Sequence, residues 1–197
     1  MRNVKQKRFL ILIKSIVLLA SFVGVLWAHP SAPRPALTGG FGEATCVQCH
    51  SSFPLDSGRD LGGDFSLTGV PDEYVPGETY EITAIINHPG QSRWGFELAS
   101  REEGGAQAGS IERIDTGVTG LTTSGGIQYL HHTNAGTFRG LADGPVSWTF
   151  NWIAPDADIG PVYFDAAGLA ANNDGGTRGD YVYFTESISV AAAAVVP

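Results

Sequence analysis

Val146-Ser-Trp-Thr-Phe-Asn-Trp-Ile153 decides the fold. Read with a period of two, it sets Val146, Trp148, Phe150 and Trp152 on one face and Ser147, Thr149 and Asn151 on the other. That alternation belongs to a β-strand with one buried side, and the bulk of the apolar face asks for a second layer to cover it. Outward from it lie further short runs of β-branched and aromatic residues: Thr79–Ile86, Trp94–Ala99, Ile127–His132, Pro161–Ala170 and Tyr181–Val190. The separators, such as His88-Pro-Gly-Gln-Ser92, Ala154-Pro-Asp-Ala-Asp158 and Asn172-Asn-Asp-Gly-Gly176, are turn chemistry. About six or seven strands at this spacing predict a mainly β protein, an antiparallel sandwich of immunoglobulin-like type.

Composition agrees with that reading. With 26 Gly and 11 Pro in 197 residues and few long helix-forming runs, a helical bundle is excluded, and 43% apolar residues exclude a wholly disordered chain. Charge is lopsided along the chain. All three Lys, with Arg2 and Arg8, precede residue 28, so beyond it seven Arg face 20 acids, a net of −13. Such a surface repels phosphate backbones, and nucleic acid is a poor partner.

Residues 1–28 read as a signal peptide. A basic start (Arg2, Lys5, Lys7, Arg8) precedes the apolar run Ile16–Trp27, and the small residue Ala28 follows. The rival is an uncleaved anchor over Phe9–Ala28, which Lys14 in its middle weakens. The chain is expected to be exported, to the periplasm, the cell surface or the medium, with a membrane as partner only if the leader is uncleaved. Residues 29–42 read as a Pro/Gly-rich linker or extended strap. Residues 43–60 hold both cysteines, residues 61–190 carry the sandwich, and 191–197 form a tail.

Cys46-Val-Gln-Cys49-His50 is a C-x-x-C-H motif, the spacing that covalent haem attachment needs. Two thiols three positions apart reach two vinyl groups on one porphyrin edge, and the adjacent His offers an axial imidazole. The motif takes every cysteine in the chain. A Cys46–Cys49 disulfide is the main rival in an oxidising compartment, though it leaves His50 without a role. A thioredoxin-like pair lacks its βαβ surroundings, and a zinc site lacks two further ligands nearby in sequence. The expectation is one covalent haem c, bound by Cys46 and Cys49 with His50 proximal.

A sixth iron ligand is sought by elimination. The sole methionine, Met1, lies in the leader, which leaves His29, His88, His131 and His132. His29 sits in the strap and His88 in the turn Asn87-His-Pro-Gly90, while His131 and His132 are strand neighbours that face opposite sides. An open or water-bound iron is the alternative, and it shifts the reading towards ligand binding or peroxide chemistry.

Several stretches together resemble the bacterial reeler-like proteins called choice-of-anchor V domain proteins: Thr38–His50, Tyr74–Thr83, Arg93-Trp-Gly-Phe-Glu-Leu98, Tyr129-Leu-His-His-Thr133, Trp148–Pro155 and Ala166–Gly175. The similarity spans about residues 37–190. It implies an immunoglobulin-like sandwich on an exported or surface protein. The family's Tyr-x-x-His-Thr segment aligns its histidine with His132, which the resemblance therefore makes the first choice for the distal ligand, with His88 second. The family's C-terminal membrane or sorting signal has no counterpart in Ala191–Pro197, nor have the extra cysteines of eukaryotic reeler domains, so neither anchoring nor disulfides carry over.

Asn172–Asp180 has the look of an acidic calcium loop, but it lacks the full EF-hand pattern and reads first as a flexible β-loop. Arg178-Gly-Asp180 is too short to mean adhesion. Trp94, Trp148 and Trp152 are expected in the core. Taken together, these residues predict a monohaem electron carrier and not an enzyme. Its acidic surface would suit a redox partner with a basic docking patch. An extracellular adhesion or matrix module, with haem structural or absent, is the competing class.

Overall fold

The computed structural model describes residues 31–193; the leader, His29 and the last residues of the tail lie outside them. Ten strands follow one another: β1 (Asp64–Thr68), β2 (Glu73–Tyr74), β3 (Thr79–Asn87), β4 (Arg93–Glu102), β5 (Ser110–Arg113), β6 (Thr119–Ser124), β7 (Ile127–His132), β8 (Val146–Ile153), β9 (Val162–Ala171) and β10 (Tyr181–Ala191). They form a four-stranded sheet, ordered β1-β3-β8-β5, and a six-stranded sheet, ordered β2-β10-β9-β4-β7-β6. The protein is a mainly β, immunoglobulin-like sandwich. Every pairing is antiparallel except β2 beside β10, where Val190 and Ala191 run parallel to Glu73 and Tyr74. The six or seven strands expected from sequence undercount the ten. The added ones, β1, β2, β5 and β6, are short or polar edge or near-edge pieces without an aromatic alternation to announce them.

The core lies where the two sheets face each other. β8 buries Val146, Trp148, Phe150 and Trp152, as its period-two pattern requires, and β3 adds Ile82, Ala84 and Ile86 from the same sheet. Against them stand Trp94, Phe96 and Leu98 of β4, Leu130 of β7, and Phe164 and Ala166 of β9. Phe96 stacks on Trp148 at 4.4 Å and Trp152 meets Phe164 edge-on at 4.8 Å. The three core indoles also satisfy their N–H groups: Trp94 donates to the Leu141 carbonyl, Trp148 to Gly136 and Trp152 to Ala108, each at 3.0 Å. Gly168 leaves room for Phe65, whose Cγ would stand 2.6 Å from any added Cβ.

β4 is buried from Trp94 to Arg101, on both faces, which alternation alone does not predict for an outer sheet. The cause is a third layer. Residues after Ser31 run as a strap across the outer face of the six-stranded sheet, burying Leu37, Thr38 and Gly40. The Leu37 amide donates to Glu97 Oε1 at 2.8 Å, and Thr38 Oγ1 donates to Glu43 Oε2 at 2.6 Å. Glu43 in turn pairs with Arg101 and accepts from the Tyr129 hydroxyl at 2.6 Å. The strap thereby delivers the cysteine segment to the sheet.

Candidate functional site

The strap ends in a single 3₁₀ turn over Cys46–Gln48, opened by Thr45, whose hydroxyl accepts from the Val47 amide at 3.3 Å. The His50 amide then bonds the Cys46 carbonyl at 2.9 Å, which winds both thiols and the imidazole into one compact unit. Beyond it, Phe53 stacks on Tyr181 at 4.3 Å, and Asp56 bonds the backbone of Val182 and Phe184. The motif is thus tied to β4 on one side and β10 on the other.

Beside it opens a partly open, mainly apolar pocket that encloses about 890 Å³ when the solvent space at its mouth is included. Cys46, Cys49, His50 and His132 all line it, with Leu37, Trp94, Phe96, Leu169 and Ala171 supplying apolar wall. Cys46 and Cys49 are not joined to each other. Burial, reinforced by the charge of Glu97, pushes the Cys46 thiol up to about 12, so at neutral pH it is a thiol and not a thiolate.

The two imidazoles are held in different ways. His50 Nδ1 lies 2.6 Å from Asp180 Oδ2, and Asp180 is fully buried, its other oxygen accepting from the Asn172 amide at 3.1 Å. A carboxylate at Nδ1 fixes the tautomer with the proton there and leaves Nε2 as a free lone pair. His132 closes β7 and turns its ring across β4 at Gly95, where an added Cβ would stand 2.8 Å from His132 Cε1. Its Nδ1 is 3.1 Å from the Phe96 amide and 3.3 Å from the Phe96 carbonyl. Those two contacts call for opposite tautomers; a metal at Nε2 selects the form that donates to the carbonyl. Burial lowers its pKa to about 4, with the charges of His131, Arg93 and His50 acting in the same direction, so the ring is neutral.

The other histidines are placed elsewhere. His131 Nε2 is 3.0 Å from the Thr122 hydroxyl, and its Nδ1 is 2.9 Å from the His132 carbonyl. His88 is buried away from the cavity lining, stacked on Tyr181 at 4.1 Å, with Nδ1 2.7 Å from the Pro89 carbonyl. His29 lies outside the described residues. The loop that read as a candidate calcium site contributes Asn173, Gly175 and Gly176 to the cavity wall, and Asp174 spends its oxygens on Asn172 and the Gly176 amide.

Among the described residues no cluster of three or more His, Cys, Asp or Glu is placed to hold a bare metal ion. A macrocycle that brings its own four nitrogens needs only two protein ligands, and the donor set here, two thiols and two imidazoles around one apolar pocket, fits it once His132 takes the tautomer that donates to the Phe96 carbonyl. Sequence reasoning had not singled out Asp180 as His50's partner. It lies 130 positions away, so no local spacing signals it.

No protein-family model matches the chain, and no curated protein does. In outline the sandwich is similar to the reeler domain of human F-spondin (20% identical, covering 66% of this chain and 89% of that one, TM-score 0.46). It is similar also to the reelin-N domain of F-spondin (18% identical, 75% and 95% covered, TM-score 0.49). A cohesin module of a Clostridium perfringens family 33 glycoside hydrolase shares it too (14% identical, 66% and 96% covered, TM-score 0.43).

Proposed function

We propose that the chain is an exported monohaem c-type protein that carries electrons, with one haem c joined to Cys46 and Cys49 and its iron between His50 and His132. The observation that supports this is the convergence of the C-x-x-C-H turn and His132, 82 positions apart, on one apolar cavity. When bound, the haem supplies a one-electron couple. The protein's own contribution is positional. Asp180 orients His50 and the Phe96 carbonyl orients His132, while Leu37, Leu169 and Ala171 limit water. Two rigidly held imidazoles leave little reorganisation on electron transfer and no open coordination position for substrate, which argues for a carrier and not an enzyme. The acidic surface favours a redox partner with a basic patch, with association slowing as salt rises.

A second reading follows from the sandwich, whose core is closed by side chains of its two sheets. On that reading the protein is an extracellular or surface module, and the haem is structural or absent. Among the described residues no helix is long and apolar enough to cross a membrane. A pyridine haemochrome spectrum and intact mass of protein expressed with a haem-attachment system separate the two. The first reading predicts one haem added, lost on joint Cys46→Ala and Cys49→Ala; a mass equal to the bare chain with a Cys46–Cys49 disulfide establishes the second.

A further inference from the structure

Three arginines, Arg34, Arg93 and Arg139, gather at the cavity mouth. Beyond residue 28 acids outnumber arginines by 20 to seven, yet among the described residues only two of those arginines pair with carboxylates. Arg59 pairs with Asp56 and Asp64, and Arg101 pairs with Glu43. Arg93, which lines the cavity, has no hydrogen bond or ion pair among the described residues. Burial first, and then the positive charge of Arg139, lower its pKa. Arg139 is turned towards the same rim, where its Nε donates to Oδ1 of the cavity-lining Asn173 at 3.0 Å. Arg34 also lines the cavity, its Nη2 committed to Gln48 Oε1 at 2.7 Å, beside Cys49.

An anion bound at this rim meets arginines from two elements, on a protein that is otherwise strongly negative. Arg93 holds its position through β4, whose register with β9 sets it opposite Ala171. The fork of a guanidinium matches a carboxylate in a bidentate manner. The cavity's remaining chemistry is already assigned: thiols to vinyl groups, imidazoles to iron. What a porphyrin presents besides these is a pair of propionate carboxylates.

We infer that Arg93 and Arg139 form a carboxylate clamp that receives the propionates and sets the orientation of the macrocycle in the cavity. This rests on the haem reading above and adds to it a subsite of opposite chemistry. Arg93 and Arg139 act on the carboxylates and not on iron, so they are positioning residues.

The test uses the full-length chain with Cys46→Ala and Cys49→Ala, so that binding is reversible, and two probes: haemin and haemin dimethyl ester, which lacks the carboxylate charges. Arg93→Gln is made in that background, with Arg93→Lys as its conservative partner and circular dichroism to confirm the fold. The clamp predicts that Arg93→Gln weakens haemin about tenfold, the scale of one charge-assisted hydrogen bond, and leaves the ester within twofold. Arg93→Lys should recover part of the loss, and Arg139→Gln should act in the same direction as Arg93→Gln. Equal weakening of haemin and ester, or no weakening of either, overturns the clamp while leaving the haem site standing. Failure of the parent chain to bind either probe, with no haem in the wild type, overturns the haem reading and the clamp with it.

Discussion

Replacing Glu97 by glutamine should abolish a pH dependence of stability that the strap builds into the fold. Glu97 is fully buried, with Oε1 accepting from the Leu37 amide and Oε2 lacking any partner among the described residues. Burial raises its pKa from 4.5 to about 7, Glu43 adds to the rise, and the Leu37 and Ala36 amides and Arg101 oppose it. The other groups facing it are Cys46 and Tyr129, which feel its charge, and His131 across the register. An acid whose folded pKa lies above its unfolded one favours folding while protonated. Its ionisation therefore costs nothing below about pH 4.5, costs progressively more up to about 7, and levels off above that. At 1.36 kcal/mol per unit, the full cost is about 3 kcal/mol. Urea unfolding at pH 5, 6, 7 and 8 should show Glu97→Gln gaining about 2 to 3 kcal/mol on the wild type between pH 5 and pH 8, the rest of the cost having accrued below pH 5. Taking the difference between variants at each pH cancels most of what Asp165, also raised to about 7 by burial and Glu186, contributes. A difference that stays flat across that range refutes the argument that Glu97 is buried as an acid.

Gly95→Ala places a methyl 2.8 Å from His132 Cε1 and should push the ring off the cavity, raising the high-spin fraction of the haem-loaded protein while thermal unfolding shifts only slightly. Trp152→Ala removes a fully buried indole and strands the Ala108 carbonyl, which should cost about 3–5 kcal/mol and lower the melting temperature by roughly 10 °C or more. Asp180→Asn keeps a hydrogen-bond acceptor at His50 Nδ1 but removes its charge; potentiometry should find a higher reduction potential, because a less basic imidazole stabilises the ferric iron less.

The strands with a strong apolar period were legible to within a residue or so: β7 and β8 at both ends, and β3, β9 and β10 offset by a single position at one end or both. β4 was read short, from Trp94 to Ala99, because Ser100, Arg101 and Glu102 are polar and announce solvent. Arg101 is buried by the strap, through Glu43 and Phe41, a long-range partner that no local window contains, and Ser100 by the segment that carries Gln107 and Ala108. The same holds for Glu97 and Asp165, acidic residues at full burial under the strap, Glu97 bonded by the Leu37 amide 60 positions away and Asp165 packed under Gly40, and for the edge strands β2 and β5, which exist because a neighbour offers them free backbone groups. Within the site, the cysteine turn is local chemistry and so was plain from spacing. The tilt of His132 at the end of β7, the carboxylate behind His50 and the cations at the rim are products of the tertiary fold.

The account stands on His50 and His132 facing one iron, and the absorption spectrum of the haem-loaded protein with and without His132 tests that most directly. The wild type should be low-spin and closed to carbon monoxide. His132→Ala should turn it high-spin and carbon monoxide-reactive, while His131→Ala and His88→Ala leave the spectrum unchanged. A wild type that is already high-spin and binds carbon monoxide, or a low-spin spectrum that survives His132→Ala, contradicts the account.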